Sequence, residues 1–260
     1  MKKEKKYNKI IPQLVFIVVV LAGWQILSSM GIWPKMLFPS VDTIGKALIS
    51  SFTKRGLGEM ILNSLVLLVE GLLIGIVAAL ILSSLAIISP SFGAIYNMIV
   101  SMFDLIPGIA LVPVAILWIG IGDGAIIFMV FHSVIWPMSR SIIDGYNSVS
   151  KLYIEVGQNF GLSKLGLVTG VYFPATLPRI ISGIKVGWAR AWRGLISAEM
   201  IFGGSSALGI GYFITDRRTN LDVAGIFSAI IVIIVIGTII EYGLFRVIEK
   251  NTLNKWGMTK

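Results

Sequence analysis

The sequence predicts an all-α polytopic membrane protein with about six transmembrane helices. Three observations lead there. The 260-residue chain is 56% hydrophobic, with a mean hydropathy of +0.88. Only 13% of its residues are charged, about half the share that a soluble domain carries. Apolar stretches recur along it that are long enough, at ~20 residues, to cross ~30 Å of hydrocarbon as helix. The absence of cysteine excludes disulfides and thiolate metal sites. A formal charge of +9 would direct a soluble protein toward nucleic acid. Here the basic residues gather at the ends of apolar stretches, so they report orientation, and no nucleic-acid partner is expected.

The elements follow in order. Lys2, Lys3, Lys5, Lys6 and Lys9 open the chain, and span one covers residues 10–30. No small-residue cleavage site precedes Pro34, so this reads as a retained anchor helix. Ser40 has the chemistry of an N-cap. Ile44, Leu48 and Phe52 recur every four residues behind it, predicting a short amphipathic helix. Span two is 60–88, interrupted by Glu70. Residues 91–103 fit either an interfacial helix or the start of span three, which is placed at 104–121 with Pro107 and Pro113 inside it. Gly120-Ile-Gly122-Asp-Gly124 reads as a tight turn, and span four follows over 124–142. Residues 143–176 form the longest polar break. Span five is 177–203, span six is 223–245, and Arg246–Lys260 is the tail.

Six spans place both termini on one side. That side then carries thirteen basic residues: the five lysines of the start, Arg140, Lys151, Lys164 and Arg179, and Arg246, Lys250, Lys255 and Lys260. The other carries six: Lys35, Lys46, Lys54, Arg55, Arg217 and Arg218. The positive-inside rule puts the termini and the 143–176 loop in the cytoplasm. Strict repeats are absent, which gives an inverted-repeat secondary transporter no support.

Within the polar break Leu152, Val156 and Phe160 recur at i, i+4, i+8, and Tyr153 and Ile154 widen that apolar stripe. Gly161 stands where a helix C-cap glycine would, able to adopt the left-handed conformation. Ser163 then stands at the N-cap of a second short helix. Glu155 is placed in the first turns, where its charge complements the helix dipole. Pro174 and Pro178 flank the start of span five. Helix chemistry alone also fits an ordinary interfacial helix followed by a hinge.

Taken together, Glu155, Gly161, Val171, Phe173 and Pro174 resemble the EAA loop of permease subunits from binding-protein-dependent ABC importers. Ile106-Pro-Gly-Ile-Ala-Leu-Val-Pro113, Ala191-Trp-Arg-Gly-Leu-Ile-Ser-Ala-Glu-Met200 and Leu208-Gly-Ile-Gly-Tyr212 resemble the nitrate, sulfonate and taurine subfamily. The resemblance spans a core of 37–250, with 1–36 as basic start and anchor and 251–260 as tail. It implies a type I permease fold in a bacterial cell membrane. It implies no catalysis and no cofactor in this chain, and a homodimer with the pathway at its interface. It implies two copies of a separate ATPase and an external solute-binding protein. Glu155, Val156, Gly157, Phe160, Gly161 and Pro174 would form the contact with that ATPase. The family usually has alanines after the glutamate. Val156 and Gly157 depart from that, and Gly157 would weaken the helix by ~1 kcal/mol relative to alanine. These 260 residues contain no Gly-x-x-x-x-Gly-Lys-Ser/Thr loop to cradle nucleotide phosphates.

Charges inside spans are the other candidates. Arg190 and Arg193 share a helical face ~18 and ~22 Å beyond Pro178. They cost at least ~2.5 kcal/mol each unless they meet a polar cavity or a partner. One reading makes them the positive lining of an anion pathway, for a sulfonate, taurine or nitrate; the resemblance also embraces carriers of neutral heterocycles. The other pairs them structurally with Glu70 or Glu199. A direct Arg193–Glu199 pair is disfavoured by their six-residue spacing. An ion-coupled carrier using Glu70, Arg190 and Arg193 is the rival function. It leaves the Glu155–Pro174 spacing unexplained. An intramembrane enzyme lacks any paired acid/base or metal-ligand spacing. Asp104 and Asp123 read as boundary residues of span three, and His132 as a packed core histidine without a metal site. Gly71/Gly75 and Gly183/Gly187 are small-x-x-x-small pairs that favour close helix packing.

Overall fold

A computed structural model describes residues 10–202 and 208–254. The lysines of residues 1–9, the last residue of the expected span five and residues 255–260 lie outside the described residues. Every regular element among those described is helical. Helix α1 (Ile10–Ser29) is joined to the rest near its end, where Trp24 stacks on Phe38 and meets Phe227 edge-on. Helix α2 (Val41–Lys54) begins at Ser40, whose hydroxyl accepts from the Thr43 amide at 3.3 Å. The expected amphipathic stripe is only partly used. Ile44 is buried, but Phe52 is 48% exposed.

Helix α3 (Leu57–Ile88) and helix α6 (Asp123–Asn147) form the centre with helix α9 (Phe173–Phe202). Glycine brings them together. A Cβ on Gly71 would lie 2.6 Å from Val130 and one on Gly75 2.8 Å from Val134. On the other side of α6, a Cβ on Gly183 would lie 2.8 Å from Ser141. The expected small-residue stripes are therefore contact lines, with α6 between them. Leu68, Val130, Met138, Ile142 and Leu195 fill the space around these lines, fully buried.

These contacts also set direction. Positions 71 and 75 pair with 130 and 134, so α3 and α6 run parallel. The chain must therefore return across the layer between them. It does so as helix α4 (Pro90–Phe103), a 3₁₀ turn (Gly108–Leu111) and helix α5 (Val112–Ile119), bent by 97°. This corrects the straight span expected over 104–121. Residues 91–103 belong to the crossing, and the break falls at 104–107. Pro107 causes it, because its ring disfavours a helical conformation at the preceding residue and removes an N–H. Pro113 sits at the start of α5, where a missing N–H is harmless. Five helices are long and apolar enough to cross a membrane, and the bent pair is the sixth crossing.

Two further boundaries differ from expectation. The polar break begins late. Ile142, Ile143 and Tyr146 are buried, so α6 continues to Asn147. It also ends early, since helix α7 (Lys151–Asn159) and helix α8 (Lys164–Leu167) are followed by a π turn (Val168–Tyr172) that runs directly into α9. The Phe173 amide reaches back five residues to Val168. That wide turn stands immediately before Pro174, whose missing N–H would break a tighter ladder. Helix α10 (Ile210–Thr219) lies at the opposite end. The last crossing is helix α11 (Val223–Ile239), a π turn (Ile240–Leu244), helix α12 (Phe245–Glu249) and a second π turn (Lys250–Asn254). Thus Ile10 and Asn254 lie at the same end as α7 and α8.

Candidate functional site

The α4–α5 bend opens a cavity of about 360 Å³. Asp104 is the C-cap of α4 and lines it. Its carboxylate accepts from the Arg190 guanidinium of α9 and lies 3.4 Å from Arg140 Nε of α6. The Asp104 side chain is 13% exposed. This corrects its reading as a mere boundary residue: one carboxylate ties three helices. It was legible as the sole acidic residue between Glu70 and Asp123, but no periodicity pairs it with an arginine 86 positions away.

Arg190 and Arg193 both line the cavity, as their shared face predicts. Arg193 donates through Nε to Ala189 O at 3.0 Å and has no carboxylate partner among the described residues. Glu70 and Glu199 do not line the cavity, and neither pairs with these arginines. Glu70 is exposed on α3. Glu199 is 2% exposed. It accepts from Ser64 Oγ at 2.6 Å and from the Gly211 amide at 2.8 Å. Ser64 Oγ accepts in turn from the Ile210 amide at 2.9 Å. Glu199 and Ser64 together thus satisfy two free amides at the start of α10, and their own bond ties α9 to α3. Asp123 is the first residue of α6. His132 is buried as expected, but it faces the cavity together with Ser133 and Trp136. Lys185, on another side of α9, meets Glu241 at 3.1 Å and Glu249 at 3.8 Å, a cluster that the sequence pattern did not reveal.

The loop helices are built from local signals. Gly161 has φ +76°. Its amide donates to Gln158 O at 2.8 Å and the Leu162 amide to Gly157 O at 3.1 Å, the paired bonds of a Schellman turn. Ser163 Oγ accepts from the Gly166 amide at 3.1 Å. Both expected caps are present. Glu155 is the fifth residue of α7, beyond the first turn, so the expected dipole benefit is lost. Gly157 is buried, and a Cβ there would lie 2.7 Å from Leu167 Cδ2 and 3.1 Å from Val171. It is the point where α7 rests on the chain behind it, so its lack of a side chain brings the helices together. The outward face is apolar: Leu152 is 63% exposed and Phe160 83%, with Tyr153 and Val156 beside them. Pro174 is exposed at the start of α9.

A bundle of six crossings, a bent third crossing and a capped two-helix loop before the fifth is the architecture of a type I importer permease. The chain belongs to the family of binding-protein-dependent transport system inner membrane components, whose profile matches residues 71–254. It is similar to the nitrate import permease protein NrtB of Synechocystis sp., 29% identical over 249 residues, covering 90% of this chain and 86% of that one. It is also similar to the putative aliphatic sulfonates transport permease protein SsuC of Bacillus subtilis. That protein is 27% identical over 243 residues, 94% of this chain and 86% of its own. The bicarbonate transport system permease protein CmpB of Synechococcus elongatus is 26% identical over 248 residues, 92% and 88% of the two chains. This chain is therefore a permease subunit of an ABC importer, working with an ATPase and a solute-binding protein.

Proposed function

We propose that α7 and α8 dock a separate ATPase, and that the chain works as one of two identical permease subunits served by two ATPase copies. ATP is hydrolysed in those subunits and not in this one. The termini and the loop face the cytoplasm. The solute is a small anion passing Arg190 and Arg193, in keeping with the nitrate, sulfonate and bicarbonate named for the relatives. Closure of the ATPases draws the two loops together and tilts the bundles as rigid bodies.

The observation that carries this reading is the exposed Leu152–Val156–Phe160 stripe. A water-facing helix does not keep such a stripe without a partner. Its inner face is held by Gly157 and its end by the Gly161 turn, so the stripe is presented rigidly, as a helix-in-groove contact requires. A β-branched residue at a left-handed position costs about 1–2 kcal/mol and would redirect α8. Gly161→Val and Glu155→Lys are each expected to leave the permease inserted but to reduce co-purified ATPase, or to uncouple its hydrolysis from uptake. If both variants keep full ATPase binding and full uptake, this loop is not the coupling element.

A further inference from the structure

A second cavity, of about 470 Å³, opens beside the loop helices. Ile81, Ser84, Leu85 and Ile88 of α3 form one wall, and Leu165 of α8 helps to close it. The hydroxyls along it are already engaged. Ser84 Oγ and Tyr146 Oη share a hydrogen bond at 3.2 Å, and the Thr169 hydroxyl donates to Leu165 O at 3.2 Å. A trapped water needs two to four polar partners, and a polar solute needs a comparable set. This groove is instead matched by hydrocarbon.

The groove is the end of a longer apolar strip. Leu73, Val77, Ile81 and Leu85 recur every four residues on one face of α3, and all four are exposed. The strip runs from the middle of this crossing to the end that carries α7 and α8. From Val77 to Ile88 it is ~16 Å long, about half of the ~30 Å hydrocarbon layer, which is the depth of one leaflet. A positive charge stands where it ends. Lys164 Nζ donates to the carbonyl of Ile88, the last residue of α3, at 3.4 Å. An ammonium carries three donors, so two remain for a ligand. Hydrocarbon over one leaflet with a cation at its surface end complements the two parts of an anionic phospholipid.

We propose that this groove is a specific lipid site: it takes one acyl chain of an anionic phospholipid from the leaflet on the loop side, with the phosphate at Lys164. The lipid then backs α8 and the π turn from the membrane side. The test is native mass spectrometry of the detergent-solubilised permease–ATPase complex, titrated with phosphatidylglycerol and phosphatidylcholine of identical chains. It reads lipid binding alone, so it holds or fails independently of the ATPase contact and of the orientation proposed above. One phosphatidylglycerol per permease is expected to be retained, about fivefold in preference to phosphatidylcholine, as one lysine near an anionic headgroup provides. Lys164→Gln should abolish that preference while some binding of both lipids remains. Leu85→Trp places an indole in the groove and should lose the retained lipid whatever its headgroup. Val66→Trp, exposed on α3 but outside the groove, should keep it. Equal retention of the two lipids by the wild type, a preference that survives Lys164→Gln, or a retained lipid that survives Leu85→Trp overturns the proposal. A second copy of the chain is the other candidate to cover the strip. Leu85→Cys, in this cysteine-free chain, is expected to stay monomeric on denaturing gels after oxidation of the membranes. Disulfide-linked pairs would assign the strip to a second copy and overturn the lipid site.

Discussion

Gly157 shows how one residue reverses meaning between sequence and structure. As a helix residue it loses about 1 kcal/mol against alanine. In the fold a Cβ would press on Leu167 Cδ2, the far end of a flexible side chain, and then on Val171. Alanine can be accommodated by a small shift of Leu167, and it regains helix propensity. A leucine cannot, and would lever α7 off its support. Gly157→Ala is therefore expected to keep wild-type ATPase co-purification, within about 0.5 kcal/mol of stability. Gly157→Leu is expected to lose most of it while reaching the membrane in normal amount. Pull-down from solubilised membranes, normalised to permease, distinguishes the two. Equal behaviour of both variants would show that the close approach at position 157 does not set the angle of α7.

At the scale of elements, the end opposite the loop is held by a charge cluster. Asp222 is the N-cap of α11, and its side chain accepts from the Gly225 amide at 2.9 Å. It also pairs with Arg55, between α2 and α3, and lies 3.6 Å from Arg217 of α10. Burial by itself would raise its carboxyl, but the Gly225 amide and the two arginines outweigh that and hold it below the ordinary carboxylate value. A carboxyl depressed on folding adds stability above its unfolded pKa of about 3.9 and loses it as pH falls through the folded value. Thermal unfolding in detergent should be flat in this contribution near neutrality and decline on acidification below about pH 4. Asp222→Asn should lower the neutral melting temperature and flatten the acid slope. An unchanged slope in that variant would place the acid sensitivity elsewhere. Ser51 and Ser228, hydrogen-bonded at 3.0 Å, add a neutral tie between α2 and α11.

For the whole molecule, the parallel course of α3 and α6 is the decisive feature. It makes the bent α4–α5 pair a crossing, which gives an even number and brings Ile10, the α7–α8 loop and Asn254 to one end. By the positive-inside rule the thirteen-to-six distribution of basic residues supports the proposed cytoplasmic orientation of that end. In this cysteine-free chain, single cysteines at Ser150 and Asn220, both exposed, report the two faces. On intact cells a membrane-impermeant thiol reagent is expected to label position 220 and spare position 150 until the cells are opened. The reverse pattern would overturn the orientation. Labelling of both would mean that α9 does not separate the two positions across the membrane.

The sequence by itself determined the membrane class, the approximate spans, the small-residue contact lines and the caps at Gly161 and Ser163. Each depends on residues within a few positions of one another. Apolar length, a four-residue repeat and a glycine at a helix end act locally, so they survive being read without coordinates. The tertiary structure alone decided which charges meet. Asp104 finds Arg190 and Arg140 because the Pro107 break turns α4 toward α6 and α9, and Glu199 finds Ser64 because α3 and α9 share α6. Glu241 and Glu249 would stand about 80° apart on a regular α-helix. The intervening π turn adds a residue to that stretch, and both carboxylates reach Lys185. Such pairings join residues distant in sequence and follow from packing that no local pattern records.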